Sequence, residues 1–177
     1  MPALAKLIYL GTAAATGAGA VVVTGEPAAL AKLLPPHAVH SAPLPAGKGC
    51  GTPVGKSVCA RTGDPHLRSA MLLGALLEGG GLAGPWRCGD GGVSCGPWQI
   101  KLSVHRTVSR SEAQDPAFAA AYMLPAYTAG CRSVPLVTWR KDPRGAAALC
   151  AFRAERPARM YPASRVAAAW QRLGGSK

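Results

Sequence analysis

Six cysteines, Cys50, Cys59, Cys88, Cys95, Cys131 and Cys150, constrain this chain more than any other feature. An even number falling into close neighbours along the sequence reads as a disulfide framework. Six cysteines allow many pairings in principle, and the nearest-neighbour set of Cys50 with Cys59, Cys88 with Cys95 and Cys131 with Cys150 is the expected one, because it closes three short loops. No CxxC is present and His105 has no partner histidine at zinc-site spacing, so metal ligation is the weaker explanation and no metal is expected. Disulfides need an oxidising compartment, which points to export.

The N-terminus agrees. Residues 1–23 place Lys6 ahead of an apolar run from Leu7 to Val23 with small residues at Ala18 and Ala20, the pattern of a signal peptide cleaved after Ala20 or of a retained membrane anchor. Residues 24–49 shift to Pro, Ala and Gly without periodicity and read as a linker, in which His37 and His40 are solvated. Residues 50–177 then make one domain of modest size. Hydrophobic residues are 49% of the chain, but much of that is alanine and aromatics are only 6%, so the core must rest on Leu, Val and Ala. Such a composition favours helices, and the expected fold is mainly α.

Helix starts recur as Asp-Pro. Asp64 caps and Pro65 opens a helix running to about Glu78, with Leu67, Ala70, Met71, Leu73, Gly74 and Leu77 at helical spacing and Glu78 beside that stripe. Asp115 and Pro116 open a second helix that Gly130 ends, bent at Pro125, and Trp139 follows in a short connection. Asp142 and Pro143 open a third, and a last helix spans 164–173 before Gly174 and Gly175. The stretch from Cys50 to Cys59 reads as a small stapled loop.

Between Glu78 and Gly96 lies a glycine-rich loop stapled by Cys88 and Cys95, suited to close backbone approach to a ligand. Trp86 and Trp98 in or beside it either offer flat faces to sugar rings or fill the core. Asp90 in GDGG lacks the alternating acids of a calcium loop. Ser103 and His105 lack a nucleophile motif around the serine and do not make a hydrolytic pair. A carboxyl between apolar neighbours, as at Glu78, is the arrangement that can act as a proton donor near neutral pH, although a solvated helix-end acid is the common alternative. Twenty Lys and Arg against eight Asp and Glu give a formal charge of +12, which attracts polyanions. The basic residues are scattered and no nucleic-acid motif is present, so anionic cell wall or lipid is favoured and no nucleic-acid partner is expected.

The order of these features resembles the lysozyme-like superfamily, specifically the soluble lytic transglycosylase domain, goose-type lysozymes and resuscitation-promoting factors. That family places its catalytic Glu at a helix end and has a downstream G-x-x-Q-[IVM] turn; here Glu78, and Gly96 with Pro97, Trp98, Gln99 and Ile100, match the two parts. DPAFAAAYMLPAY at 115–127 resembles the family's next helix, ALCAFRAE at 148–155 stands where it has an AYNAG-like segment, and Tyr161 with Arg165 and Val166 stands where it has a Tyr followed by an RV-type last helix. Gly79 replaces its frequent Ser, Arg153 its Asn, and Glu155 stands near its Gly.

The resemblance implies a lysozyme-like single domain with a glycine-rich, disulfide-stapled active-site loop, and a peptidoglycan-cleaving glycosidase, lytic transglycosylase or muramidase, acting on the β-1,4 bond between N-acetylmuramic acid and N-acetylglucosamine. Glu78 would be general acid and then base. Gly96, Trp98, Gln99, Ile100, Tyr161 and Trp86 would contact the glycan, with Tyr161 steadying either Glu78 or an acyl group, Asp90 or Glu155 would be the second acid if water is the nucleophile, and no cofactor is needed. The partner would be peptidoglycan glycan strands. The location would be periplasmic or extracellular, with attachment to the inner membrane through residues 1–23 as the variant. The reading from another class is a non-catalytic, exported module that binds cell-wall glycan; a cationic membrane-active protein is a third.

Overall fold

The computed structural model describes residues 48–157 and 159–175. The signal or anchor segment at 1–23, and the linker with His37 and His40 up to residue 47, lie outside them. Seven helices and one two-stranded hairpin make up the described residues, so the chain is mainly α as expected. No described helix is long and apolar enough to cross a membrane.

The fold is arranged around helix α2, Pro65–Leu77. Asp64 caps it, its Oδ1 accepting from the backbone N–H groups of His66 at 2.8 Å and Leu67 at 3.4 Å, and Pro65 supplies the first helical residue. The sequence predicts one apolar stripe. Instead every residue from Leu67 to Leu77 is buried. A helix with apolar residues on all sides gains by being surrounded, and α2 is: it packs against α1 (Pro53–Cys59), α4 (Pro116–Arg132), α6 (Pro143–Glu155) and α7 (Ala163–Arg172). Its last turn therefore delivers Glu78 from the centre of the core to the surface.

Between α2 and α4 the chain forms the long loop, a 3-10 turn at Asp90–Gly92, and a hairpin in which β1 (Ser94–Cys95) pairs antiparallel with β2 (Ile100–Lys101), Cys95 opposite Ile100. A short helix α3, Arg110–Gln114, follows, closed at its start by a capping box of Ser109 and Glu112. Helix α5, Leu136–Lys141, buries Trp139. Three of these elements correct the sequence reading. The Cys50 to Cys59 loop contains α1, whose start repeats the cap-then-proline signal as Thr52 and Pro53; α3 is a helix that the sequence reading does not include; and Trp139 lies in a helix, not a connection. All three are of seven residues or fewer, too short for an apolar period to declare itself.

The cysteines pair as expected: Cys50 with Cys59, Cys88 with Cys95 and Cys131 with Cys150, with no free thiol among the described residues. Three such bonds require an oxidising compartment to persist. The last joins α4 to α6 where Gly130 lets the two backbones meet; a Cβ there would lie 2.8 Å from the carbonyl oxygen of Cys150. Gly130 does not end α4, which continues to Arg132. Helix α7 spans Ala163–Arg172, with Trp170 fully buried.

Candidate active site

Glu78 is the C-cap of α2 and is half-buried. Its backbone N–H still bonds to the carbonyl of Gly74, so its position is fixed by the helix and not by the loop beyond. Two side chains, Tyr161 from the segment before α7 and Arg165 from its first turn, hold this helix end. The Tyr161 hydroxyl donates to Glu78 Oε1 at 2.5 Å. Arg165 donates through Nη2 to the carbonyl of Leu77, a cation at the negative end of the helix dipole. Among the described residues Glu78 Oε2 has no hydrogen-bond partner. One carboxylate oxygen is thus anchored and the other is open.

A second carboxyl lies beneath the first. Tyr127, fully buried on α4, donates from its hydroxyl to Glu155 Oε1 at 2.8 Å. That hydroxyl occupies the space a side chain at residue 74 would take, 1.7 Å from an ideal Cβ. Gly74 is one helical turn before Glu78 and on the same side of α2. Burial pushes the Glu155 carboxyl up to about 8; the Tyr127 hydrogen bond pulls it down and the charge of Glu78 adds to the rise. Burial likewise raises both tyrosines, Tyr127 further through the Glu155 charge and Tyr161 through its bond to Glu78 and both carboxylates, against a pull from Arg165. Both hydroxyls therefore stay protonated and remain donors across the physiological range.

The two parts of the sequence motif meet through backbone. The chain leaving Glu78 crosses the turn at 96–99 so closely that a Cβ on Gly80 would sit 2.3 Å from the Pro97 carbonyl oxygen. Gly96 has φ +82, and its Cβ would sit 1.7 Å from the carbonyl oxygen of Ala113. Replacing it with alanine combines left-handed strain with a backbone clash. Gly96→Ala is expected to lower stability by at least about 2 kcal/mol, read by thermal or urea unfolding; an unchanged midpoint would show that this turn is not the fixed base of the loop.

The side chains of that turn do not go where the sequence reading sends them. Trp98 is fully buried, its indole N–H donating to the carbonyl of Met71 at 3.0 Å, so it fixes the turn to α2 and offers no face to a sugar. Ile100 is core as well. Gln99, at φ +47, spends its amide inside the loop: Oε1 accepts from the Gly89 N–H at 3.2 Å, and Nε2 donates to the carbonyls of Gly96 at 2.9 Å and Arg87 at 3.2 Å. Its role is a strut. Trp86 is half-buried and held by its indole N–H to the Gly81 carbonyl at 3.1 Å. Asp90 is exposed, with Oδ2 accepting from Ser94 Oγ at 3.0 Å, and the carboxylates that act on Tyr161 are those of Glu78 and Glu155. Arg153 turns away from Glu155, donating through Nη1 to the carbonyl of Ser133 at 2.5 Å and to its Oγ at 2.7 Å.

The structure therefore brings together Glu78, Tyr161 and Glu155, and it adds Tyr127 and Arg165, to which sequence reasoning gave no role. Gly74 was the available signal: a glycine inside an apolar helix costs about 1 kcal/mol against alanine and marks a close approach. A depression lined by Thr52, Leu76, residues 81–84 and Arg172 flanks the start of the loop but contains no carboxylate. Compared with protein-family models, curated proteins and solved structures, the chain finds no match.

Proposed function

We propose that the protein is a peptidoglycan-cleaving glycosidase with a lysozyme-like fold, acting on the β-1,4 bond between N-acetylmuramic acid and N-acetylglucosamine through Glu78. The observation that supports this best is the state of the Glu78 carboxyl: carried to the surface by a helix buried from Leu67 to Leu77, held on one oxygen by Tyr161, and open on the other. A positioned carboxyl with one free oxygen is what general acid and base catalysis needs. Glu78 gives its proton to the glycosidic oxygen as the bond to the muramyl C1 breaks, releasing the glucosamine hydroxyl. The resulting carboxylate then takes the proton of the muramyl C6 hydroxyl as that oxygen bonds to C1. The product is an anhydro ring, and Glu78 ends protonated again.

Transglycosylation is favoured over hydrolysis because hydrolytic glycosidases ordinarily use a second carboxylate. Asp90 is engaged by Ser94, and Glu155 is half-buried and bonded to Tyr127. The formal charge of +12 suits an anionic wall polymer, and the disulfides suit an exported protein, with residues 1–23 as leader or inner-membrane anchor. The test is zymography of purified peptidoglycan with wild type and Glu78→Gln, followed by mass analysis of the released muropeptides. Anhydro ends mark transglycosylation and reducing ends mark hydrolysis. Clearing by Glu78→Gln equal to that of wild type overturns the proposal and leaves the non-catalytic wall-binding module.

A further inference from the structure

Helix α5 turns two different sides to its surroundings. Trp139 faces inward and is buried, its ring against that of His66 at a centroid separation of 4.5 Å. Residues four apart share a helix face, so Leu136 lies with Arg140, and Val137 with Lys141, and all four are exposed. Leu136 is 67% exposed and Val137 54%, the one adjacent pair among the exposed large hydrophobic side chains of the described residues. Arg132, in the last turn of α4 and four residues before Leu136, is exposed as well. The acid of this stretch, Asp142, is turned to the start of α6, where it accepts from the Gly145 N–H at 2.9 Å. Two aliphatic side chains thus stand in water among three cations. Their place in the fold follows from His66, which belongs to the first turn of α2. Glu78 is at the other end of that helix, 13 residues and about 20 Å away.

We propose that this face of α5 docks on an anionic phospholipid bilayer, with Leu136 and Val137 entering the boundary between headgroups and acyl chains and Arg132, Arg140 and Lys141 on the lipid phosphates. Both parts of the face decide the partner. Cations alone would suit any polyanion, an anionic wall polymer included. A hydrated polymer, however, has no apolar layer in which aliphatic side chains can leave water, and a bilayer has one. A folded protein partner would cover about 800 Å² of this chain, and two aliphatic side chains on a six-residue helix do not make the apolar centre of such a patch. At a bilayer, apolar burial adds to charge attraction, and each lysine or arginine near an anionic surface contributes about fivefold in affinity. The contact is peripheral, since no described helix is long and apolar enough to cross a membrane. It is separate from attachment through residues 1–23 and does not rest on the reading of Glu78. Docked in this way, the protein keeps the start of α2 nearer the lipid than Glu78.

Co-sedimentation of the full chain with vesicles tests this, with phosphatidylglycerol and phosphatidylethanolamine in one set and phosphatidylcholine alone in the other. The proteins are wild type, the double variant Leu136→Ser with Val137→Ser, and the double variant Arg140→Gln with Lys141→Gln. All four side chains are exposed, so both variants are expected to melt with wild type. Wild type is expected to bind the anionic vesicles at least about tenfold more tightly than the neutral ones, and each variant to lose at least about tenfold on the anionic set. Salt raised from about 0.05 M to about 0.5 M should weaken wild type more than the charge variant. Residues 1–23 are present in every protein, so the loss on substitution is the readout, and anionic-vesicle binding retained by either variant overturns the proposal. If instead the variants lose binding to purified peptidoglycan, or lose a dimer, while vesicle binding is unchanged, the face takes wall polymer or a second copy and the proposal is overturned. A second measurement reads position, because brominated acyl chains quench nearby tryptophans. Val137→Trp is expected to gain quenching over wild type, and Met160→Trp, exposed beside Tyr161, is not; equal gains overturn docking through α5. Failure of the Glu78 reading would appear separately, as a wild type that binds vesicles but does not cleave peptidoglycan.

Discussion

Glu78→Gln is expected to lower the rate of the proposed peptidoglycan cleavage by about 10²–10⁴-fold, the span typical of a lost general acid or base. Glutamine has the same shape and can still accept from the Tyr161 hydroxyl, so the end of α2 keeps its anchor. What it lacks is the proton for the leaving oxygen and the carboxylate that later accepts one. Folding should be almost indifferent to the change, within about 1 kcal/mol, because Glu78 is half-buried and pairs with no cation among the described residues. Activity and unfolding therefore separate, which a structural role for Glu78 would not allow. Tyr161→Phe is the informative companion. It leaves the carboxylate chemically intact but removes a hydrogen bond to a charged group, a loss of about 1.5–3 kcal/mol, so its activity should fall about tenfold or somewhat more. If Tyr161→Phe were as damaged as Glu78→Gln, the tyrosine would itself be a proton carrier, against the strong upward shift of its hydroxyl.

What could be read in the sequence was what is local. Asp64, Asp115 and Asp142 each cap a helix that a proline opens, since a cap is decided by adjacent residues. The disulfide pairing followed from proximity along the chain for the same reason. What escaped depends on which way a side chain turns once helices pack. Trp98 and Gln99 occupy the right turn, but α2 draws the indole inward to Met71, and the cysteine-stapled loop claims the amide. Glu155 appeared only as a residue out of place near an expected glycine. Its significance comes from α4, which brings Tyr127 across to Gly74 over a separation in sequence that no periodicity reports.

The glycines divide along the same line. Gly79 points a hypothetical Cβ into open space, whereas Gly74, Gly80 and Gly96 are each pressed by another part of the chain. Within the glycine-rich run Gly80 and Gly96 are such contacts, against the 96–99 turn and α3, while Gly79, Gly81 and Gly91 face open space. The site rests on a rigid base: Glu78 keeps its helical hydrogen bond, Trp98 ties the turn, and Cys88 with Cys95 closes the loop. Preorganisation of this kind is what the proposed proton transfer by a single carboxyl requires.

Stability should carry the signature of Glu155 as clearly as activity carries that of Glu78. Its folded-state value of about 8 lies above the value near 4.3 of an unfolded glutamate. Between those limits the native state binds a proton that the unfolded state has released, so the group's stabilising contribution is complete below about pH 4 and is lost as the pH rises through about 8. Over that window wild type loses up to about 1.4 kcal/mol per pH unit from this residue. In melting temperature, the decline attributable to Glu155 between pH 5 and pH 8 is on the order of 10 °C for a domain of this size. Glu155→Gln does not titrate and should show a much flatter curve. The two proteins should be close in stability at pH 5, and the variant more stable at pH 8. Every other titratable group is common to both proteins and cancels in the comparison. Melting curves of wild type and Glu155→Gln at half-unit steps from pH 4.5 to 8.5 decide the matter. Parallel curves would mean that the Glu155 carboxyl loses its proton at an ordinary pH despite its partial burial, and that the charge of Glu78 does not reach it.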